Sequence, residues 1–281
     1  MLDPRLNAYR LDLAETGLEG KVDAAQFVDG EKARIVVSTA ELRSGPNLIK
    51  GIDTQLLYGE PVTVFEYSRG WSWVKSDIDS YVGYLPDRFL ADPEPQPTHW
   101  VTAPRTFIYP EAELKTQPVG GLSMGSRIAA EDETEVRGTR YLVLEDGRAV
   151  IANHCRPVGQ PENPDYVSIA VRFLETPYLW GGRSGFGIDC SGLVQLSMMM
   201  AGMAAPRDSD MQAESLGAEI SGDQLRRGDL VFWKGHVGIM EDGETMIHAN
   251  GYTMSVARER LEDAIERISS LYGEPTGFRR P

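Results

Sequence analysis

The chain is poor in cysteine, in basic residues and in long apolar runs. Only two cysteines, Cys155 and Cys190, occur in 281 residues, too few for the disulfide framework of a small secreted scaffold. A reduced compartment with one working thiol fits them better than a lone structural bridge. Lys and Arg number 28 against 42 Asp and Glu, a net charge of −14. No basic stripe interrupts that balance, which argues against a nucleic-acid partner, because phosphate neutralisation needs a local surplus of cations. A substrate with a positive end suits an acidic surface better than a polyanion does. No stretch approaches the roughly 20 apolar residues of a membrane span. Charges on nearly every turn of residues 1–15 leave no apolar signal-peptide core, so a cytoplasmic protein is expected.

What the chain does contain is ordered in blocks. Residues 1–30 are expected to form a helical extension and linker, with Leu6, Tyr9 and Leu13 on one helical face. From 31 to 95, short runs such as Val62-Thr63-Val64-Phe65 and Trp71-Ser72-Trp73-Val74 lie between Gly, Pro, Asp and Ser, the texture of short strands. A stiff linker around Pro93, Pro95 and Pro97 precedes a second strand-rich block, 98–158. Two small β-barrels are predicted, and the aromatic and glycine pattern of the first resembles bacterial SH3-like domains. After a hinge with Pro157, Pro161 and Pro164, the block 163–281 changes character. Asp165 can cap a helix containing Val167, Ala170, Val171 and Leu174, a second helix runs from Cys190 to about Met203, and strands follow. The expected class is α+β.

Cys190 stands where a glycine-rich loop, Gly181 to Gly187, becomes a helix, with Asp189 as N-cap. Unpaired N–H groups and the macrodipole at a helix start favour a thiolate. Asp189 opposes it, so a cationic histidine partner is required. Two of the four histidines, His236 and His248, flank the turn Glu241-Asp242-Gly243. A three-residue loop with Gly243 in the left-handed region would set Met240 against Glu244 and His236 directly against His248. A two-residue loop would send the imidazoles to opposite faces. The first register is expected, with Cys190 as nucleophile, His236 as its base and His248 orienting His236. Alone, a cysteine on a helix with Leu193, Leu196 and Met200 reads as core; the cap, the loop and two paired histidines together favour chemistry. A zinc site from Cys190, His236 and His248 is possible by ligand type, but no CxxC or HxxxH spacing accompanies it. No metal and no cofactor is expected, since the glycine loop matches neither a Walker motif nor a dinucleotide fingerprint. Cys155, beside His154, reads as structural.

The motifs Thr176-Pro-Tyr-Leu-Trp-Gly-Gly182, Asp189-Cys-Ser-Gly-Leu193, Arg227-Gly-Asp-Leu-Val-Phe232, His236-Val-Gly-Ile239 and Ile247-His-Ala249 resemble, in order, those of the NlpC family of papain-like cell-wall cysteine peptidases. With the two preceding barrels the chain resembles the YkfC-type γ-D-glutamyl-L-diamino acid endopeptidases, or dipeptidyl-peptidase VI. The resemblance implies murein stem peptides of the form L-Ala-γ-D-Glu-diamino acid as substrates, cut between D-Glu and the diamino acid. It implies Cys190, His236 and His248 as the triad. It further implies that Asp189 and Ser191 bind the free α-amino group of the substrate, joined by a barrel tyrosine, Tyr81 or alternatively Tyr84. The charge of Asp189 would then be answered by the incoming ammonium. Asp53 is the nearest acidic residue to a further barrel position that some relatives fill with Glu. Trp180 is expected to wall the pocket, and Arg207 and Gln212 to be framework. Two rival readings are a murein-peptide binding module with a vestigial peptidase domain, and an amidase or acyltransferase on the same fold.

Overall fold

Alternation of apolar and polar residues decides the first half of the chain. In Glu31–Ile35, Ala33 and Ile35 enter a core while Lys32 and Arg34 do not. This strand belongs to a five-stranded sheet ordered Val82–Pro86, Trp71–Ser76, Pro61–Ser68, Glu31–Ile35, Leu90–Ala91. A two-stranded ribbon, Thr39–Leu42 with Thr54–Leu57, adds Ala40, Leu42 and Leu56 to the same core. Each such Leu or Ile contributes about 1.5–3 kcal/mol by leaving water. A second five-stranded sheet runs Gly120–Ser123, Arg105–Tyr109, Ala149–Ile151, Thr139–Leu144, Ala130–Val136, beside a three-stranded one built on His99–Val101.

The computed structural model describes residues 2–160 and 164–281, and the chain divides into two compact units, Met1–Val158 and Gly159–Pro281. Within the first unit the barrels are not separate beads. Tyr58 leaves the first barrel to join Val101, Ile108, Leu122 and Val150 in the core of the second. Next to it Gly59 has φ +76°, and a Cβ there would stand 2.0 Å from the Arg127 carbonyl oxygen, so only glycine fits. A kinship between the barrels, faint in the sequence, shows in their longest hairpins. Arg69-Gly70 joins Ser68 to Trp71 and Arg137-Gly138 joins Val136 to Thr139, all four at positive φ, the twist that suits a two-residue hairpin.

The N-terminal helix expected within 1–30 is not formed. Residues 2–13 follow a turning path that leads to a short parallel pair, Ala14–Glu15 with Phe27–Val28. The apolar residues serve different partners: Leu6 packs on the first barrel's core, whereas Ala8 and Leu13 meet Phe65 and Trp73, and Leu11 is exposed. The backbone bonds the sheet, with Val82 N donating to the Arg5 carbonyl at 2.8 Å. Lys75 ties down Glu15, and Arg10 lies over the Trp73 ring. Tertiary contacts outweigh a weak helical period. Pro161 of the expected hinge, and residue 163 where the last block was set to begin, lie outside the described residues.

In the second unit Asp165 caps α1 (Tyr166–Val171), accepting from Val167 N at 3.1 Å; the helix ends before Leu174. Then come α2 (Cys190–Met200), α3 (Ser209–Ser215), β1 (Ala218–Glu219), β2 (Leu230–Trp233), β3 (His236–Met240), β4 (Thr245–Asn250), β5 (Ser255–Arg260), α4 (Leu261–Tyr272) and β6 (Gly277–Arg280). The sheet order is β1-β6-β2-β3-β4-β5, antiparallel throughout. Leu261, Ala264 and Ile268 of α4 cluster with Val231, Trp233, Met240 and Met246 on one face. Val237, Ile239, Ile247 and Ala249 alternate to the other face and are fully buried.

The β3–β4 register differs from the expected one by two residues. Ile239 pairs Ile247 and Met240 pairs Met246, and Glu241 N donates to the Thr245 carbonyl at 2.8 Å, so the loop is Asp242-Gly243-Glu244. Gly243 is not at positive φ. Instead the Asp242 carboxylate accepts from Glu244 N at 2.8 Å and Thr245 N at 2.7 Å, an Asx turn that closes the loop without glycine's freedom. A shift of two preserves the face. His236 and His248 are therefore same-face diagonal neighbours rather than directly opposed.

Candidate active site

The start of α2 is built around one carboxylate. Asp189 Oδ1 accepts from Gly192 N at 2.7 Å, as an N-cap should, and Oδ2 accepts from Gly181 N at 2.9 Å. The glycine loop is thus stitched to the helix, and a Cβ at Gly192 would stand 2.3 Å from the Gly182 carbonyl oxygen. Arg207, 1% exposed, completes the set with Nη1 to Oδ1 at 3.0 Å and Nη2 to Oδ2 at 2.7 Å. It also donates to Ser191 Oγ at 2.9 Å, and that hydroxyl lies 3.3 Å from Asp189 Oδ1. The charge of Asp189, expected to wait for a substrate ammonium, is already answered inside the protein. Sequence reading assigned Arg207 to the framework but missed this pairing, because nothing local links residues 18 apart. Gln212 fits the framework reading, donating to the Ser191 and Pro206 carbonyls at 2.9 and 2.8 Å.

Cys190 is buried in the first turn of α2. Burial, and then Asp189, push its thiol up to about 12; the backbone N–H groups of Val237 and Ser191 and the Arg207 charge pull the other way. The Val237 donor belongs to the residue after His236, so the backbone of β3 beside His236 reaches the thiol at the start of α2. His236 Nε2 lies 2.9 Å from His248 Nδ1, and the ring of His236 sits 5.7 Å from that of Trp233. Burial lowers His236 to about 3, helped by His248 and Arg267, and burial lowers His248 as well. The directions of these shifts favour a neutral thiol and neutral imidazoles in the resting protein. The ion pair expected from the sequence forms only by moving the thiol proton onto His236.

The row continues past the expected residues. His248 faces Ala257 across β4 and β5, which sets Glu259 diagonally on the same face. His248 Nε2 is 3.1 Å from Glu259 Oε2, and Arg267 of α4 holds Glu259 through Nε and Nη2 at 2.9 and 2.5 Å. Neither residue carried a motif signal; only the β4–β5 register, unknown from sequence, reveals them. Tyr178 is a second addition, its phenol pushed up by burial and by the nearby Cys190 and Asp189. Among the described residues no three His, Cys, Asp or Glu side chains are grouped to hold a metal ion. The direct 2.9 Å contact of the imidazoles is also tighter than two nitrogens sharing a tetrahedral zinc at about 2.0–2.1 Å each would allow.

Trp180 is 68% exposed on the loop before α2, free to meet a ligand. Tyr81 lies in the first unit, buried with Ile35, Leu42 and Val64. Its alternative, Tyr84, stacks on Trp73 and its hydroxyl already accepts from Arg10 at 2.8 Å. Asp53 donates its backbone N–H to the Leu42 carbonyl at 2.9 Å. A cleft of about 360 Å³ in the first unit, lined by Arg34, Tyr58, Arg127 and Arg148 among others, contains no thiol or imidazole.

The NlpC/P60 family model matches residues 175–270, and a bacterial dipeptidyl-peptidase SH3 domain model matches 42–90. A γ-D-glutamyl-L-lysine dipeptidyl-peptidase of Bacillus subtilis (strain 168) is 32% identical over 222 residues, 70% of this chain and 72% of the relative. The chain belongs to the NlpC/P60 family. As a member of that family it is a cysteine peptidase, with an SH3 domain preceding the NlpC/P60 domain. Dipeptidyl-peptidase 6 of Lysinibacillus sphaericus is 24% identical over 85% of this chain and 99% of its own length. An NlpC/P60 family crystal structure from Bacillus cereus ATCC 10987 superposes with a TM-score of 0.74, at 24% identity over 89% of this chain and 99% of that one, which establishes the shared fold. No helix among the described residues is long and apolar enough to cross a membrane.

Proposed function

We propose that this peptidase hydrolyses the bond between γ-D-Glu and the diamino acid in murein peptides with a free N-terminal L-Ala, with Cys190 as nucleophile. The feature that supports it most is the continuous contact from the α2 start through the Val237 N–H to the His236–His248 pair at 2.9 Å. With Nε2 of His236 engaged by His248, Nδ1 remains for the sulfur. The thiol proton passes to Nδ1, the thiolate attacks the γ-carbonyl carbon, and the oxyanion is met by the Cys190 N–H at the helix start and by the Tyr178 hydroxyl. The imidazolium then protonates the leaving amine of the diamino acid. Water, deprotonated by His236, cleaves the thioester and releases L-Ala-D-Glu. The names of the relatives, γ-D-glutamyl-L-lysine dipeptidyl-peptidase and dipeptidyl-peptidase 6, support this bond and substrate. Trp180 walls the substrate side, and the enzyme acts inside the cell on free peptides released during wall turnover.

Asp189 and Ser191 remain the proposed readers of the substrate amine. Because Arg207 already pairs with Asp189, the ammonium meets a polarised pair rather than a bare carboxylate. The test is incubation with L-Ala-γ-D-Glu-L-Lys, its meso-diaminopimelate analogue and the N-acetylated forms, followed by mass spectrometry. Release of L-Ala-D-Glu from the free peptides only, abolished in Cys190→Ala and weakened in Tyr81→Phe, is expected. Equal cleavage of the acetylated peptides would remove the amine reading. Cleavage at another bond, or acyl transfer without hydrolysis, would replace the reaction itself.

A further inference from the structure

We propose that Glu259, held by Arg267, is the positioning residue that sets the tautomer of His248 and, through it, the working nitrogen of His236. This rests on the reading of Cys190, His236 and His248 as the catalytic group.

The side chain of His248 is fully buried, and its Nε2 meets no well-aligned hydrogen-bond acceptor. A buried N–H left so costs about 1–3 kcal/mol. The nearest carboxylate is Glu259, 3.1 Å away though off the N–H axis, and two bonds from Arg267 keep it there. Arg267 is itself braced over the Tyr252 ring at 4.7 Å. Burial raises Glu259, but His248 and Arg267 outweigh it and hold the carboxyl at about 2.

An ionised carboxylate only accepts, so the proton of His248 belongs on Nε2, toward Glu259. Its Nδ1 is then a bare lone pair, and the 2.9 Å contact with His236 Nε2 requires His236 to donate. That leaves His236 Nδ1 unprotonated and ready to take the thiol proton. Without Glu259 the opposite arrangement is equally open, with His248 donating from Nδ1 and His236 carrying its proton on Nδ1, where it blocks the transfer. The charged and titratable groups around the pair are Glu259 on β5, Arg267 on α4, and Cys190 and Asp189 with Arg207 on the α2 side. Arg267 and Glu259 act on the imidazoles with opposite sign, so the pair is a balance as well as a clamp.

The experiment is a pH profile of kcat/KM on L-Ala-γ-D-Glu-L-Lys for single variants of the full chain. Glu259→Gln should lower kcat about tenfold with KM little changed, at the low end of what losing an outer partner of a working imidazole costs. Its acid limb, set by protonation of His236, should move to lower pH, because the charge favouring the imidazolium is gone. Arg267→Gln should move that limb to higher pH, and Arg267→Lys should restore it; these two carry the test if Glu259→Gln does not fold. Limbs that stay put, or move the same way in Glu259→Gln and Arg267→Gln, would overturn the proposal while an inactive Cys190→Ala leaves the triad standing. An active Cys190→Ala would overturn the triad instead.

Discussion

Each of the two cysteines comes with a histidine, and the comparison separates proximity in sequence from proximity in chemistry. Cys155 directly follows His154, yet the His154 ring bonds Thr106 Oγ1 through Nδ1 at 2.7 Å. The thiol instead packs at the margin of the second barrel's core. The histidine nearest to Cys190 in sequence is again His154, 36 residues earlier, but what the fold brings to this thiol is the Val237 N–H, next to His236. Burial alone raises Cys155 to about 12, and Cys190 is raised to about the same value. Resting acidity therefore does not distinguish the two thiols. What differs is the set of donors: Cys190 has a helix start, the Val237 N–H and Arg207 to receive charge when it forms, and Cys155 has none of these among its influences. Preorganised donors at the point where charge develops matter more than the ground-state pKa.

The sharpest way to break the comparison is to remove each sulfur. Cys190→Ala should lower kcat/KM on the tripeptide by about 10⁴-fold or more, as loss of a nucleophile does, while Cys155→Ala leaves it unchanged. A comparable loss in both would dissolve the distinction. Next in size is the support under Cys190. Arg207→Met strands the buried Asp189 carboxylate and should cost about 3–5 kcal/mol in urea unfolding. Adding Asp189→Asn should recover part of that, since no bare charge is then left; a double variant worse than the single would sink this account.

The same contrast shows what sequence could and could not carry. Capping is local, so Asp165 and Asp189 are legible as N-caps from neighbouring residues alone. The His236–His248 association is nearly so, because any even register shift keeps two residues on one face. That is why the expected pairing missed by two residues yet placed the imidazoles together: the Asx turn of Asp242 supplied what Gly243 was expected to supply. Arg207 and Glu259 were not legible, since each depends on a long-range register or loop path. The N-terminal segment misled for the same reason, its Leu6 and Leu13 answering to two different clusters rather than to one helix face.

Acid unfolding probes the histidines at an intermediate scale. His236 is lowered in the folded state to about 3, so the unfolded chain takes up the proton first. Its stabilising contribution is complete above about pH 6.5 and is lost as pH falls toward 3, at about 1.4 kcal/mol per pH unit. His236→Asn should flatten the stability curve over that window. His154→Asn, where burial is partial and the shift is smaller in consequence, should flatten it less; the reverse ranking would contradict the placement of His236 in the drier site.

On the alkaline side the two thiols should behave alike. Both are raised when folded, so the unfolded chain loses its thiol protons first, and stability falls as pH rises from about 9 toward 12. Cys155→Ala and Cys190→Ala should each flatten that fall by a similar amount, and Cys155→Ala should cost about 1 kcal/mol or less at neutral pH. A Cys190→Ala variant that leaves the alkaline slope untouched would mean that the free enzyme already holds a thiolate. The donors at the start of α2 would then stabilise charge before substrate arrives, and the neutral resting pair would have to give way to the ion pair expected from the sequence.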